Sequence, residues 1–170
     1  MAGWRQMLAA PAALATLAAC AAGARLDAGA YVVRTKGYRV TAPVGWERID
    51  SEADLALRHP GLGAGLMAHG SCEGPTPRRS LPVLARHLRF GLREVTRLDE
   101  TPVELAGQRG MRSRFAATLD GVPVGVSAVT LQGARCVWDL VVVAPAGRLA
   151  AVAADFTRFI ESFGLVGTIP

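Results

Sequence analysis

Three cysteines and three histidines are the residues of this chain best suited to covalent or metal chemistry. Gly70-Ser71-Cys72-Glu73-Gly74 matches the pattern Gly-x-nucleophile-x-Gly with a thiol at its centre. With His69 or His87 as its base, Cys72 would make a thiol-dependent enzyme, which requires a free thiolate of low pKa. The pattern also requires a helix straight after the nucleophile, and here Pro75 and Pro77 follow instead. His69 and Cys72 have the spacing of metal ligands, and His59 precedes them. A zinc or copper site needs three or four converging ligands, so neither a metal nor a cofactor is expected. The competing reading joins Cys72 to Cys136 in a disulfide, worth about 4 kcal/mol for a loop of this length. Two separate buried thiols remain the other possibility for this pair.

Asp139 is the odd residue of the most apolar stretch, on the face of Val137, Val141 and Val143. A buried carboxylate must be paired or protonated. Arg112 or Arg114, from a neighbouring strand, is the expected partner, and the same two arginines are a candidate site for an anionic ligand. Glu94, Asp99, Glu100 and Glu104 have no spacing suited to an acid/base pair and read as a solvated face. Trp46 and Trp138 read as core residues, and His87 as a helix-flank residue.

The elements that must position these groups follow from pattern. Tyr38–Thr41 alternates and stops at Pro43; Asp54–Arg58 and Gly65–His69 read as short strands. Ser80 and Pro82 open a helix whose Leu81, Leu84, Ala85, Leu88 and Leu92 share a face, predicting residues 81–93. Met111, Ser113, Phe115, Ala117 and Leu119 alternate, Asp120-Gly121 turns the chain, and Val122–Leu131 returns. Cys136–Val143 is apolar throughout, as in a central strand covered on both faces. Leu149, Val152, Ala153, Phe156, Phe159, Ile160 and Phe163 form a second helical stripe that ends at Gly164. The class is α+β: an antiparallel sheet of about six strands flanked by helices.

The start of the chain has a different character. Arg5 is followed by Met7–Ala19, about thirteen uncharged residues, too few for the ~20 that span a bilayer but suited to an export signal. Leu17-Ala18-Ala19-Cys20 resembles the bacterial lipobox. That resemblance implies cleavage before Cys20, a diacylglycerol on its thiol, and anchoring in the lipid bilayer by two or more acyl chains. Ala21, rather than Asp, resembles the outer-membrane-sorted class. The expected organisation is a signal segment 1–19, a lipidated tether 20–30 and one domain 31–170. The net charge of +5 comes from scattered arginines, Lys36 being the only lysine. No basic tract with interleaved aromatics is present, so no nucleic acid is expected as partner.

Three stretches resemble the PsbP-like superfamily, which includes bacterial DcrB-like lipoproteins. Gly37–Trp46, with Pro43-Val44-Gly45-Trp46, is similar to its opening strand and turn. Pro102–Gly107 followed by Gly110-Met111-Arg112 is similar to its strand-turn-strand. Phe156–Phe163, with Ile160-Glu161-Ser162-Phe163, is similar to its closing helix. The resemblance implies an α/β/α sandwich and a non-catalytic binding or accessory module. Together with the lipobox and Ala21, it implies an envelope protein as partner at the periplasmic side of the outer membrane.

Overall fold

The computed structural model describes residues 23–72 and 80–167. The segment 1–19 read as a signal and the lipobox-like motif at Cys20 lie outside these residues, as do Glu73 and Gly74 of the nucleophile-like pattern. Among the described residues the chain forms eleven strands in two sheets and two α-helices.

A small sheet gathers both ends of the domain. Strands β1 (Arg25–Asp27) and β2 (Ala30–Val33) form a hairpin across Ala28-Gly29, both with positive φ. A 3-10 turn at Arg34–Lys36 leads to β3 (Tyr38–Val40). The last strand, β11 (Gly164–Leu165), pairs with β3 and completes the order β1-β2-β3-β11. One expectation is corrected here. The tether read over 20–30 is structured from Arg25, because Ala24 is buried and its N–H donates to the carbonyl of Asp54 at 3.0 Å. The chain also continues past its final helix into a strand, since Gly164 and Leu165 complete the edge that β3 would otherwise expose.

The large sheet holds seven antiparallel strands. They are β4 (Glu47–Ile49), β5 (Leu55–His59), β6 (Ala64–Ser71), β7 (Arg93–Leu105), β8 (Gln108–Leu119), β9 (Val122–Gln132) and β10 (Val137–Pro145). Their order is β4-β5-β6-β10-β9-β8-β7, which puts the apolar β10 in the centre, as its composition required. The β8–β9 hairpin turns at Asp120-Gly121, both with positive φ, as the sequence signal demands. Pro102 sits in β7, an edge strand, where a missing N–H does least harm.

Helix α1 (Leu81–Arg86) lies on one face of this sheet, over β8 and β9, and α2 (Ala153–Glu161) lies on the other, against β10. The small sheet shares the outer layer with α2. Val33, Tyr38 and Val40 join Phe156, Phe159, Leu140 and Val142 in one core, while Phe115, Val126, Ala128 and Val141 form the core under α1. The expected helix over 81–93 is shorter: α1 gives way to a 3-10 turn at His87–Arg89, and Gly91 turns left-handed at φ 80°. The physical reason is competition. From Arg93 the chain pairs with β8 and forms the longest strand of the sheet, and that pairing outweighs another helical turn.

Close packing makes Gly110 a sensitive position. A Cβ there would stand 2.6 Å from Leu131 Cδ2 and 2.7 Å from the carbonyl oxygen of Thr130. Gly110→Ala is expected to lower the unfolding free energy by about 1–3 kcal/mol in urea denaturation. Gly167→Ala, which meets nothing within 4 Å, should leave it unchanged.

Candidate functional site

The two remaining cysteines are joined. Cys72, just past β6, and Cys136, just before β10, form a disulfide with an S–S distance of 2.08 Å and Cα atoms 4.2 Å apart. Antiparallel pairing of β6 with β10 brings Ser71 opposite Val137, so the two sulfurs meet where the ladder ends. Cys72 therefore offers no free thiol, and the thiol-dependent reading loses its nucleophile. Neither His59 nor His69 has a free Cys72 thiol to act on. His59 accepts the Gly61 N–H at 3.2 Å and packs edge-on against Trp46, and His69 Nδ1 lies 3.9 Å from Asp54.

Asp139 is buried as expected, but its expected partner is wrong. In register, Asp139 faces Thr130, and Thr130 faces Met111. Arg112 and Arg114 are one position out of phase, on the opposite face with Leu140 and Val142, because side chains alternate along a strand. The carboxylate is instead held by Thr130, whose hydroxyl donates at 2.7 Å, and by His87 Nε2 at 3.0 Å. His87 reaches it from the 3-10 turn that ends α1, and its Nδ1 donates to the carbonyl of Leu84. Both ring nitrogens face acceptors, an arrangement that favours the protonated ring. The hydrogen bond to Asp139 pushes the His87 pKa above its ordinary value. Partial burial opposes this, and the charge of Asp139 and the Leu84 carbonyl reinforce it.

A second buried carboxylate, Asp54, was not singled out by sequence. It precedes β5 and is 5% exposed. Its Oδ1 accepts Lys36 Nζ at 2.7 Å, and its Oδ2 accepts the Tyr38 hydroxyl at 2.9 Å and the Gly70 N–H at 2.7 Å. Burial, followed by the Asp54 charge and hydrogen bond, holds the Tyr38 hydroxyl far above the ordinary tyrosine range, so it remains a donor. The turn that carries Lys36 also accepts the Trp138 indole N–H on its backbone oxygen, at 3.0 Å. Gly70 leaves the room: a Cβ there would meet Trp138 at 3.0 Å and the Lys36 stem at 3.1 Å. The available signal was Lys36 itself, a lone lysine among arginines. Trp46 is core as expected and donates its indole N–H to Asp155 at 3.0 Å. Of the acids read as a solvated face, Glu94 accepts the Thr118 hydroxyl and Glu100 pairs with Arg89.

Arg112 and Arg114 come together with Ser127, Val142, Leu149 and Phe156 around a cleft of about 290 Å³ beneath the start of α2. Ser127 is 3% exposed and its hydroxyl has no hydrogen-bond partner. Arg114 is exposed and Arg112 half-buried.

No protein-family profile matches this chain, and no curated protein matches its sequence. Solved structures do match its fold. LpqN from Mycobacterium tuberculosis, described as involved in cell envelope biogenesis, aligns with a TM-score of 0.62 at 17% identity, over 76% of this chain and 83% of its own. Cyanobacterial PsbP (CyanoP) from Synechocystis sp. PCC 6803 aligns with a TM-score of 0.61 at 15% identity, over 93% of this chain and 98% of its own. A protein of unknown function from Pseudomonas aeruginosa, described as a putative regulator, aligns at 0.51 and 10% identity, over 73% of this chain and 88% of its own. The fold is PsbP-like, as the sequence resemblance implied.

Two outcomes follow from the buried carboxylates. Asp54→Ala leaves an ammonium, a phenol and an amide without their acceptor and should cost about 3–5 kcal/mol in urea denaturation. Lys36→Gln, which leaves Asp54 two donors, should cost less. For His87 the folded pKa is raised, so its stabilisation is complete below the free value of about 6.5 and is lost as pH rises through the folded value. The imidazole titration followed by NMR should have its midpoint above 6.5. Asp139→Asn should lower that midpoint, and His87→Gln should remove this part of the fall in stability at rising pH.

Proposed function

We propose that this chain is an exported lipoprotein, held by an acylated Cys20 at the periplasmic face of the outer membrane, and that its PsbP-like domain is a non-catalytic binding and accessory module of the cell envelope. The observation that carries this reading is the fold, which spans 98% of CyanoP and 83% of LpqN, the latter described as involved in cell envelope biogenesis. The Cys72–Cys136 disulfide supports it, since such bonds persist in oxidising compartments outside the cytosol. The engagement of Cys72 in that bond and of both His87 nitrogens in hydrogen bonds argues against the thiol-enzyme alternative. An acylated protein of this size would hold a rigid sandwich close to the bilayer, where a partner in the envelope can be met in two dimensions.

The test is fractionation and capture. Wild-type protein should pellet with membranes, and its intact mass should exceed that of the bare polypeptide by the acyl groups. Cys20→Ala should release the domain from the pellet. Crosslinking in intact cells followed by affinity capture should recover the same envelope protein in repeated experiments. Equal pelleting of Cys20→Ala, or capture of no specific partner, would overturn the proposal.

A further inference from the structure

Polarity changes in order across three adjacent strands on the α2 face of the large sheet. Strand β8 presents Arg112 and Arg114, two positions and so about 6.6 Å apart along the strand. Arg114 stands directly opposite Ser127 on β9, and Ser127 stands opposite Val142 on β10. Beyond Val142 the cleft is roofed by Leu149 and by Phe156 of α2, with the small side chains of Ala150 and Ala153 leaving the opening. The row therefore runs from guanidinium to hydroxyl to hydrocarbon.

The polar end of this row is unsatisfied within the protein. Ser127 is buried, yet its hydroxyl makes no hydrogen bond. Among the described residues, no carboxylate lies within ion-pair distance of Arg112 or Arg114. Asp99 faces Arg114 in the β7–β8 register without closing on it. Two cations and one free hydroxyl donor, set beside an apolar wall, complement an oxyanion that carries an apolar stem.

We infer that this cleft binds a small carboxylate amphiphile lying across the strands. Arg112 and Arg114 hold the carboxylate, Ser127 donates its hydroxyl to it, and Val142, Leu149 and Phe156 cover the first carbons of the stem. The cleft of about 290 Å³ has room for roughly ten water volumes, which suits a head group and a short chain and not a whole lipid. This assignment deepens the binding-module reading and rests on it for its biological setting, while the binding itself is a property of the domain.

The experiment titrates the full chain, held in zwitterionic nanodiscs, with hexanoate, hexanol and inorganic phosphate, and follows backbone amide shifts. Hexanoate should saturate below about 10 mM, with the largest shifts around Ser127 and Ala150, and should bind at least about tenfold more tightly than hexanol or phosphate. R112Q/R114Q should weaken hexanoate at least about tenfold while leaving hexanol unchanged, and S127A should weaken it by a smaller factor. Unaltered thermal melting of the variants separates lost binding from lost folding; should R112Q/R114Q melt early, Ala150→Leu, which blocks the cleft without touching its charges, must abolish the shifts instead. Phosphate binding as tight as hexanoate would make this a free-oxyanion site and overturn the inference. So would equal binding of hexanol, no saturation, or no effect of the arginine substitutions. Loss of hexanoate binding with envelope capture intact refutes the cleft alone, whereas hexanoate binding without any captured partner refutes the accessory role alone.

Discussion

A carboxylate withdrawn from water must be met by donors, and in this protein that requirement ties the two sheets together. Asp54 belongs to the large sheet's side of the core, while Lys36 and Tyr38 belong to the small one. Neither sheet can move away without leaving a buried charge, and breaking such a pair costs far more than an exposed ion pair contributes. The corner around it is dense for the same reason. Gly70 has no side chain because the Lys36 stem and Trp138 fill that space, and the Cys72–Cys136 bridge closes the same end of the β6–β10 ladder. Charge pairing, an aromatic lid and a covalent bond thus act on one junction.

Alternation along the strands then divides the chemistry of the large sheet between its faces. On the α1 face, Asp139, Thr130 and His87 satisfy one another and fasten the short helix to the central strand. On the α2 face, Arg112, Arg114 and Ser127 have no such partners. A difference of one residue in phase separates a closed structural network from an open polar cleft. This is why the reactive-looking residues are structural and the functional candidates are plain arginines and a serine.

That division suits the binding module proposed above. The core is continuous from the small sheet through β10 to α2, so the cleft beneath α2 is built on rigid elements. The proposed anchor at Cys20 would stand four residues before the buried Ala24 and so would hold the sandwich close to the bilayer.

Much of the fold was legible in local sequence. The β8–β9 hairpin was marked by Asp120-Gly121, the centrality of β10 by its unbroken apolar run, and α2 by its phenylalanine stripe, because each signal depends only on neighbours along the chain. The lipobox-like Leu17-Ala18-Ala19-Cys20 is also a linear pattern, and it lies outside the described residues. What sequence could not decide was which chains of residues meet across strands. The helix expected to Arg93 yields to a strand whose partner, β8, is set by register. Asp139 was legible as a buried acid that needs a partner, but register placed the arginines on the opposite face and a helix end supplied His87 instead. Asp54 looked like the head of an ordinary strand until Lys36, Tyr38 and Gly70 closed around it. The chain by itself determined its elements, its apolar faces and the need for pairing. Only the tertiary structure decided the pairs, because a side chain's partner depends on register and on packing between layers, and neither is written in any local run of residues.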